Sequence, residues 1–544
     1  MTVKRPVVER VLRKMAFARD KHLLEHDFAR VIASGEALDL GRNSGPVVGV
    51  ATLASGGWHC AIEALLAHAL ARRGARPELL VCDLPGLPIC SERRRTARER
   101  DRCAGCIDDK RAVLDSAGLP WRPLSSLIAT DSLARAFDVT AALDPAEFHD
   151  YRERGWPIGQ WLHVSVSHYL GCDGGGNTPA IVDARRRLLT SAIVWVEAVE
   201  RWLDVVRPDI VIVQGGAHLE WRIVLELARA RGVSVTCREM GKGGWDYHIY
   251  ALDRDVMSPD LGREWAIGRE RRLSPVEESA VDAFLRELPA RTYRQVNDPA
   301  ADHSSRAVPG IPQGKRTAVA FTNVTWDLAT AGRDVAFAGV ADWLGETIRI
   351  FSGMPDVHLL VRAHPAEVGV DSEERVLDRL ATERPDSIPN VTLVPPESRV
   401  SARSLFDRAD LVVAYNSTAG LEAAAAGRPV LVCGDPHYRG KGFTRDVSSR
   451  SEYADLLAAW ANGAPPAVAH DTAELARRYV HLFFLRYHIK MGWTTSPLEP
   501  PFALTIRSLQ ELLPGANAAL DAVCEGILER RQIVLRRPAA AEVA

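Results

Sequence analysis

Two short runs of the sequence carry residue types arranged for chemistry. In "AYNSTAGLEAAAAGRPVLV", from Ala414, the residues Asn416, Ser417 and Thr418 open an alanine-rich helical stretch, and Glu422 follows Thr418 by four positions. Residues four apart share a helix face, so the acid lies one turn beneath the hydroxyls. In "LLVRAHPAE", Arg362, His364 and Glu367 follow a strand that Pro365 cannot continue. Hydroxyls, free amides at a helix start and an imidazole are donors suited to a phosphate. A carboxylate one turn deeper suits ribose or sugar hydroxyls instead. Read singly, Ser417 is a helix cap and His364 an ordinary loop histidine. Their joint placement is what would make an anion site.

That placement depends on the elements around them. "PVVGVATL", "PELLVCDLP", "PDIVIVQGG" and "VSVTCREMG" read as buried strands, separated by apolar helices such as "AIEALLAHALARRG" and "LEWRIVLELARARG". Strands alternating with helices build a parallel α/β sheet. The pattern lapses over the Pro-, Gly- and Ser-rich "VNDPAADHSSRAVPGIPQGKR" and restarts with "TAVAFTNV", "HLLVRAHP", "VTLVPP" and "DLVVAYN". The expected class is α/β, with two Rossmann-like domains facing a central cleft. Their division is a helical arm over 1–44, a first domain over 45–295 with a helical insertion, and a linker over 296–316. A second domain over 317–500 and a C-terminal helix and tail over 501–544 complete it.

In open parallel sheets, ligands sit at the carboxyl ends of the strands. Three strands of the second domain end there in Asn323 to Asp327, in Arg362 to Glu367, and in Tyr415 to Thr418. The first domain offers Ser55, Trp58 and His59 from "ASGGWHC", and Arg238, Glu239, Lys242 and Asp246 from "REMGKGGWD". Glu239 directly follows a strand and is the leading candidate for acid–base work. It reads also as an ion-pair partner of Arg238 or Lys242. Asp246 and Asp327 are the other candidate catalytic acids.

Cys82, Cys90, Cys103 and Cys106 fall within one 25-residue window. The Cys103-x2-Cys106 spacing is that of a metal knuckle, and the two earlier thiols complete a set of four. The expectation is a structural zinc, ahead of an iron–sulfur cluster, with Arg93, Arg94, Arg95, Arg98, Arg100 and Arg102 inside the loop. The plainer alternative is a group of ordinary reduced thiols.

The stretch "YNSTAGLEAAAAGRPVLVCGDPHYRGKGFTRD" resembles the signature of the capsule polysaccharide biosynthesis family, whose members include Kdo transferases. The matching positions are Asn416 to Ala423, Gly427 to Val430, and Tyr438, Gly440, Lys441, Gly442 and Thr444. "RAHPAE" matches the family's His-Pro motif at His364 and Pro365, whereas Asp435 and His437 stand where that pattern carries smaller or apolar residues. The resemblance implies a GT-B architecture with the donor nucleotide held mainly by the second domain. It implies a glycosyltransferase moving an acidic sugar such as Kdo from a CMP-linked donor to a polysaccharide or glycolipid. The donor-binding set would be Arg362, His364, Asn416, Ser417, Thr418, Glu422, Tyr438 and Lys441, with Ser55, Trp58 and His59 on the acceptor side. No metal is expected to be required for catalysis. The alternatives are a nucleotide-sugar epimerase of the same fold, and a non-catalytic glycan- or nucleotide-binding assembly protein.

Composition narrows the partners. The 544 residues carry 68 basic and 70 acidic side chains, a net charge of -2, which leaves no footprint for nucleic acid. No run of apolar residues is long enough to span a bilayer, and the N-terminal "MTVKRPVVERVLRKMAFARDKH" is too charged for a secretory signal. The expected location is cytoplasmic, at the inner face of the membrane if that basic amphipathic stretch lies on anionic lipid. Packing of the same stretch on its own domain is the simpler reading.

Overall fold

Strands covered by helices on both faces must be apolar along their whole length. The four-to-six-residue apolar runs of this sequence meet that condition. The computed structural model describes residues 26–35, 43–53, 57–90, 99–242, 246–296, 314–369, 375–380, 385–464, 466, 471–495 and 503–537. The chain divides into two compact units. One gathers Met1–Ser165, Val182–Pro259 and His488–Leu535, the other Val166–Ile181, Asp260–Tyr487 and Arg536–Ala544.

The first unit is built on β1 (Val47–Thr52), β2 (Arg76–Val81), β3 (Trp121–Pro123), β4 (Ile210–Gln214), β5 (Ser234–Met240) and β6 (Tyr247–Leu252). A second sheet contains β7 (Arg316–Phe321), β8 (Val357–Arg362), β9 (Val391–Val394), β10 (Leu411–Ala414), β11 (Val430–Val432) and β12 (Arg445–Asp446). The last strand, β13 (Ile489–Lys490), returns to the first sheet, whose order is β13-β6-β5-β4-β1-β2-β3. Strands β1 to β5 are parallel, with Val48 opposite both Pro77 and Ile210. The β6 and β13 strands add antiparallel to one edge.

Helix α1 (Gly57–Ala71) follows β1 and is buried on nearly every side, Glu63 and His68 included. Its apolar residues share one core with Phe28 and Val31, and with Trp493, Leu509, Leu520 and Ile527. Residues 26–35 of the expected N-terminal arm, and the C-terminal helix, therefore pack into this unit's core. Residues 297–313 of the expected linker lie outside the described residues, as do 1–25 and 36–42 of the expected arm.

The second unit's sheet runs β12-β11-β10-β7-β8-β9, every pair parallel. Counted from β7, this is the 3-2-1-4-5-6 order of a Rossmann sheet, and its topological switch point is the β7–β10 pair. Both units are thus Rossmann-like α/β sheets. Among the described residues no helix is long and apolar enough to cross a membrane.

Asp246, expected as a candidate acid, has a structural task. It precedes β6, and its carboxylate accepts the amides of Gly492, Trp493 and Thr494 at 3.0, 2.7 and 3.2 Å. It thereby fastens the returning C-terminal segment to the sheet edge. Asp246→Ala should cost about 2–4 kcal/mol of stability, because three amides, two of them buried, lose a charged acceptor. Urea unfolding measures the loss, and limited proteolysis should cut first within 488–535. A variant as stable as the parent would show that the edge pairing alone holds this segment.

Candidate functional site

In the second unit the strand-end loops are tied together through the two residues that follow β7. The Thr322 hydroxyl accepts the His364 backbone N–H at 2.9 Å, and the Asn323 side-chain Oδ1 accepts the Asn416 backbone N–H at 3.0 Å. The loops after β8 and β10 are in this way set against the end of the strand between them. Asn323 was legible in the sequence, whereas Thr322 was not singled out. Its signal was a hydroxyl directly before the polar residues of a strand end.

His364 is half-buried. Its Nδ1 accepts the Ala366 N–H at 3.1 Å, so the neutral ring carries its proton on Nε2. That makes Nε2 the donor. Asn416 is 6% exposed, and neither its carboxamide oxygen nor its nitrogen has a protein partner. A buried amide left unpaired costs about 1–3 kcal/mol, which marks it as a group built to meet something else. Gly434 makes room for it, since a Cβ there would collide with the Asn416 side chain.

Ser417 and Thr418 are half-buried ahead of the seven-residue helix Ala419–Ala425. The helix amides expected to stay free are engaged. Ala419 N donates to Ser417 Oγ at 3.3 Å and Gly420 N to Ser417 O at 3.2 Å. Any anion held here meets side-chain donors rather than helix amides. Glu422 is half-buried one turn on, as the spacing required.

Other members of the expected donor set point inward. Arg362 is 5% exposed and donates to the carbonyls of Pro395, at 2.5 Å, and Ser398, at 3.1 Å. It shapes the loop after β9. Tyr438 is fully buried and donates to Ser417 O at 2.6 Å, while burial pushes its phenol well above the ordinary range. It supports the Ser417 backbone from below. Lys441 is half-buried, and burial lowers its pKa against the opposing pull of Asp260 and Asp435. Asp327 is exposed in a local turn, accepting the Ala329 amide at 3.1 Å. His437 lies flat on Phe483 at 3.7 Å between ring centroids, beside the π-helical turn His481–Tyr487. Glu367 is buried and accepts the Val376 N–H at 3.3 Å, and burial raises its pKa to about 7.

The strand ends of the first unit collect charge instead. Glu63 accepts the Thr52 hydroxyl at 2.6 Å and lies 3.7 Å from Arg238, both side chains being almost fully buried. Burial raises the Glu63 pKa, and Arg238 pulls it back down. His59 is 3.5 Å from Arg238 Nη2 through Nδ1, and 3.5 Å from Gln214 through Nε2. Burial, with Arg238 adding to it, lowers its pKa to about 3, so the ring is neutral at ordinary pH. Glu239 is half-buried, accepts the Met240 amide at 2.8 Å and is bonded by Gln214. Burial raises its pKa above the ordinary value of 4.5. A carboxyl so perturbed at a strand end fits proton transfer. Gly215 takes φ 59°, and a Cβ added there would stand 3.2 Å from Glu239 Oε2.

Of the remaining expected residues, Trp58 packs against the first unit's core and Ser55 lies outside the described residues. Glu63 was missed. Its signal, a lone acid inside an apolar helix, was the same one that drew attention to Glu422. Among the described residues, no three His, Cys, Asp or Glu side chains stand in a metal-ligating arrangement.

Two Rossmann-like units, with a polar constellation at the strand ends of each, place the protein in the α/β class. Within it, residues 290–459, about a third of the chain, match the model of the family described as capsule polysaccharide biosynthesis protein. The resemblance read from Asn416 to Thr444 and from His364 is borne out over that segment. No curated protein matches the chain. Among solved structures, the beta Kdo 2,7 transferase KpsC of Thermosulfurimonas dismutans is 17% identical. That match covers 52% of this chain and 79% of the other, with a TM-score of 0.32. UDP-GlcNAc 2-epimerase of Neisseria meningitidis is 11% identical over 79% of this chain and 93% of its own, with a TM-score of 0.24. Sucrose-phosphate synthase of Thermosynechococcus elongatus is 13% identical over 80% and 94%, with a TM-score of 0.30. At such TM-scores these structures add nothing to what the sheet topology shows.

The support beneath Ser417 can be tested directly. A Cβ at Gly420 would meet the Tyr438 hydroxyl, and the Ala414 Cβ at 3.2 Å. Gly420→Ala should destabilise the second unit by about 1–3 kcal/mol. Combination with Tyr438→Phe, which removes the obstructing oxygen, should cost less than the two single losses added. Strict additivity in urea unfolding would mean that the two residues do not press on one another.

Proposed function

We propose that the protein is a GT-B glycosyltransferase that moves a sugar from a nucleotide-linked donor to a surface polysaccharide or glycolipid. The donor that fits best is a CMP-linked acidic sugar such as Kdo. The observation that carries the reading is the pairing of His364, with its proton on Nε2, and Asn416, with its buried and unpartnered amide, through the end of β7. The family match over 290–459 supports the same reading.

In this reading the imidazole N–H of His364 and the hydroxyls of Ser417 and Thr418 hold the donor phosphate. The Asn416 amide bonds a polar group of the nucleotide or sugar, and Glu422 accepts from ribose or sugar hydroxyls. Lys441, whose ammonium is weakened by burial, sits over acidic groups of the donor. The acceptor hydroxyl gives its proton to Glu239 as its oxygen bonds the anomeric carbon. The bond from that carbon to the phosphate oxygen breaks, and CMP leaves with the electron pair. Donors already aimed at the phosphate stabilise the departing charge, so side chains suffice and no metal is invoked.

A thermal-shift panel of CMP, CDP, UDP and GDP tests the donor class, since ligands of the native state raise its melting temperature. CMP should give the largest rise. The His364→Ala and Ser417→Ala pair should weaken CMP binding by more than about 10-fold, each charge-assisted bond contributing about 1.5–3 kcal/mol. Unchanged affinity in a folded double variant would remove the anion site. Nucleotide release in the absence of any acceptor would favour an epimerase instead.

Glu239→Gln should lower kcat by about 100-fold or more with little effect on CMP binding. The pH profile carries the sign. A base works as the carboxylate, so kcat/KM should fall as pH drops through a pKa above 4.5, the value from which burial has raised Glu239. That limb should vanish in the Gln variant. A parent profile flat across this range would assign proton transfer to another group.

A further inference from the structure

Gln214 stands between two groups that make opposite demands on it. It ends β4, the neighbour of β1 in the first sheet, and Arg238 of β5 is its register partner. Gln214 is 6% exposed, and its carboxamide nitrogen lies 3.5 Å from His59 Nε2. The same side chain bonds Glu239. Its carboxamide oxygen is buried and has no partner among the described residues, so both contacts belong to the nitrogen. A buried amide oxygen left unpaired is costly, and the proposed transfer reaction gives Gln214 no role.

The hydrogens of this group cannot all be satisfied at once. A guanidinium only donates, so Arg238 Nη2, 3.5 Å from His59 Nδ1, leaves that ring nitrogen as the acceptor. The ring is neutral, and its single proton is therefore on Nε2. There it faces the amide nitrogen of Gln214, donor against donor. Turned over, the amide would offer its oxygen to Nε2–H and satisfy His59. That oxygen would then also face Glu239, where two acceptors meet unless the carboxyl carries a proton. Each orientation of the amide thus suits one state of Glu239, nitrogen toward the carboxylate and oxygen toward the acid. The other charged groups at this strand end are engaged elsewhere. Glu63 of α1 is bonded by Thr52 and paired with Arg238, and Lys110 of α2 (Glu99–Ala117) donates to the Leu53 carbonyl at 2.9 Å.

We propose that Gln214 is the positioning residue of Glu239, its carboxamide turning over against His59 as the carboxyl gains and loses a proton. The inference rests on the reading above in which Glu239 takes the proton of the acceptor hydroxyl. In that step the acceptor O–H bond breaks and a Glu239 O–H bond forms, and no proton passes through the amide. Gln214 begins as a donor that holds the carboxylate in place. It ends as an acceptor for the acid, with its oxygen bonded by His59 as well. The base is supported in both of its states, and the amide turns back when the proton leaves to solvent.

The test reads Glu239 without any turnover. Infrared spectra of the full-length protein with isotope-labelled glutamate carboxyls, less those of Glu239→Gln, follow its titration. His59→Phe removes the partner that favours the turned-over amide. The Glu239 midpoint should then fall by about half to one pH unit, the equivalent of one hydrogen bond. In a Gln214→Met background the same change at His59 should leave the midpoint in place. A shift of equal size in both backgrounds would overturn the proposal, since His59 would then act without the amide. So would an unmoved midpoint in His59→Phe. If Gln214→Met fails to fold, the nitrogen NMR signal of His59 Nε2 in the parent decides. It should move as Glu239 titrates, and a signal constant through that range would overturn the coupling. Transfer is read separately. Gln214→Met should lower kcat by about 10-fold or more with CMP binding unchanged, and an unchanged kcat would overturn the positioning role. A coupled titration in a protein that transfers no sugar would uphold the turning amide and remove the proposed function.

Discussion

Everything on the working face of the second unit depends on the side chains that follow β7. A parallel strand that ends inside a protein leaves its own amides and those of its neighbours without a ladder. Thr322 and Asn323 supply the missing acceptors, one to each flanking loop. Only β7 lies between β8 and β10, so its end is the place from which both loops can be reached. His364 and Asn416 owe their placement to it, and Tyr438 fixes Ser417 in the same manner from beneath. The ties are neutral and short. They position donors without adding charge of their own where an anion is to be held.

The first unit meets the same geometric problem with buried charge. Glu63 and Arg238 sit at 3.7 Å behind the strand ends, where burial sets the ionisation of His59 and Glu239 and Arg238 modifies it. Arg238 helps to keep His59 neutral, and burial keeps the proton on Glu239 to higher pH than usual. Buried ion pairs of this kind are poor sources of stability, since desolvation offsets most of the attraction. Arg238 here also acts on its neighbours, disfavouring the charged form of His59 and favouring the carboxylate of Glu239. The two units therefore share a topology and differ in the electrostatic character of the same edge.

Much of this was legible in the sequence because strands buried on both faces leave long apolar runs. A polar residue at the end of such a run stands out. That reasoning located His364, Asn416, Ser417 and Glu239. It could not tell which polar side chains at strand ends would turn inward. Arg362 and Asp246 both satisfy backbone groups whose positions depend on loops far away in sequence. Glu63 was overlooked because an acid in the middle of an alanine- and leucine-rich helix reads as solvent-facing, whereas α1 has no solvent face. The sequence places 488–500 in the second domain by chain order and shows no sign of the strand β13 that returns to the first sheet. The partners of this strand and of the C-terminal helix lie hundreds of residues earlier, His248 opposite Ile489 among them, and local periodicity carries no information about such pairings.

The discontinuity of the first unit has a consequence for how the chain is made. The strands of the second unit, β7 to β12, are contiguous and leave the ribosome together. The first unit's core needs Phe28 and Val31 near the start of the chain and Leu520 and Ile527 near its end. During synthesis the later unit is thus able to close first, while the earlier one waits with an open sheet edge and an unfilled core. The nascent first unit is the part most exposed to wrong pairings. The short β13 strand and the Asp246 clamp are then the last pieces to settle, acting as a latch that ends that period.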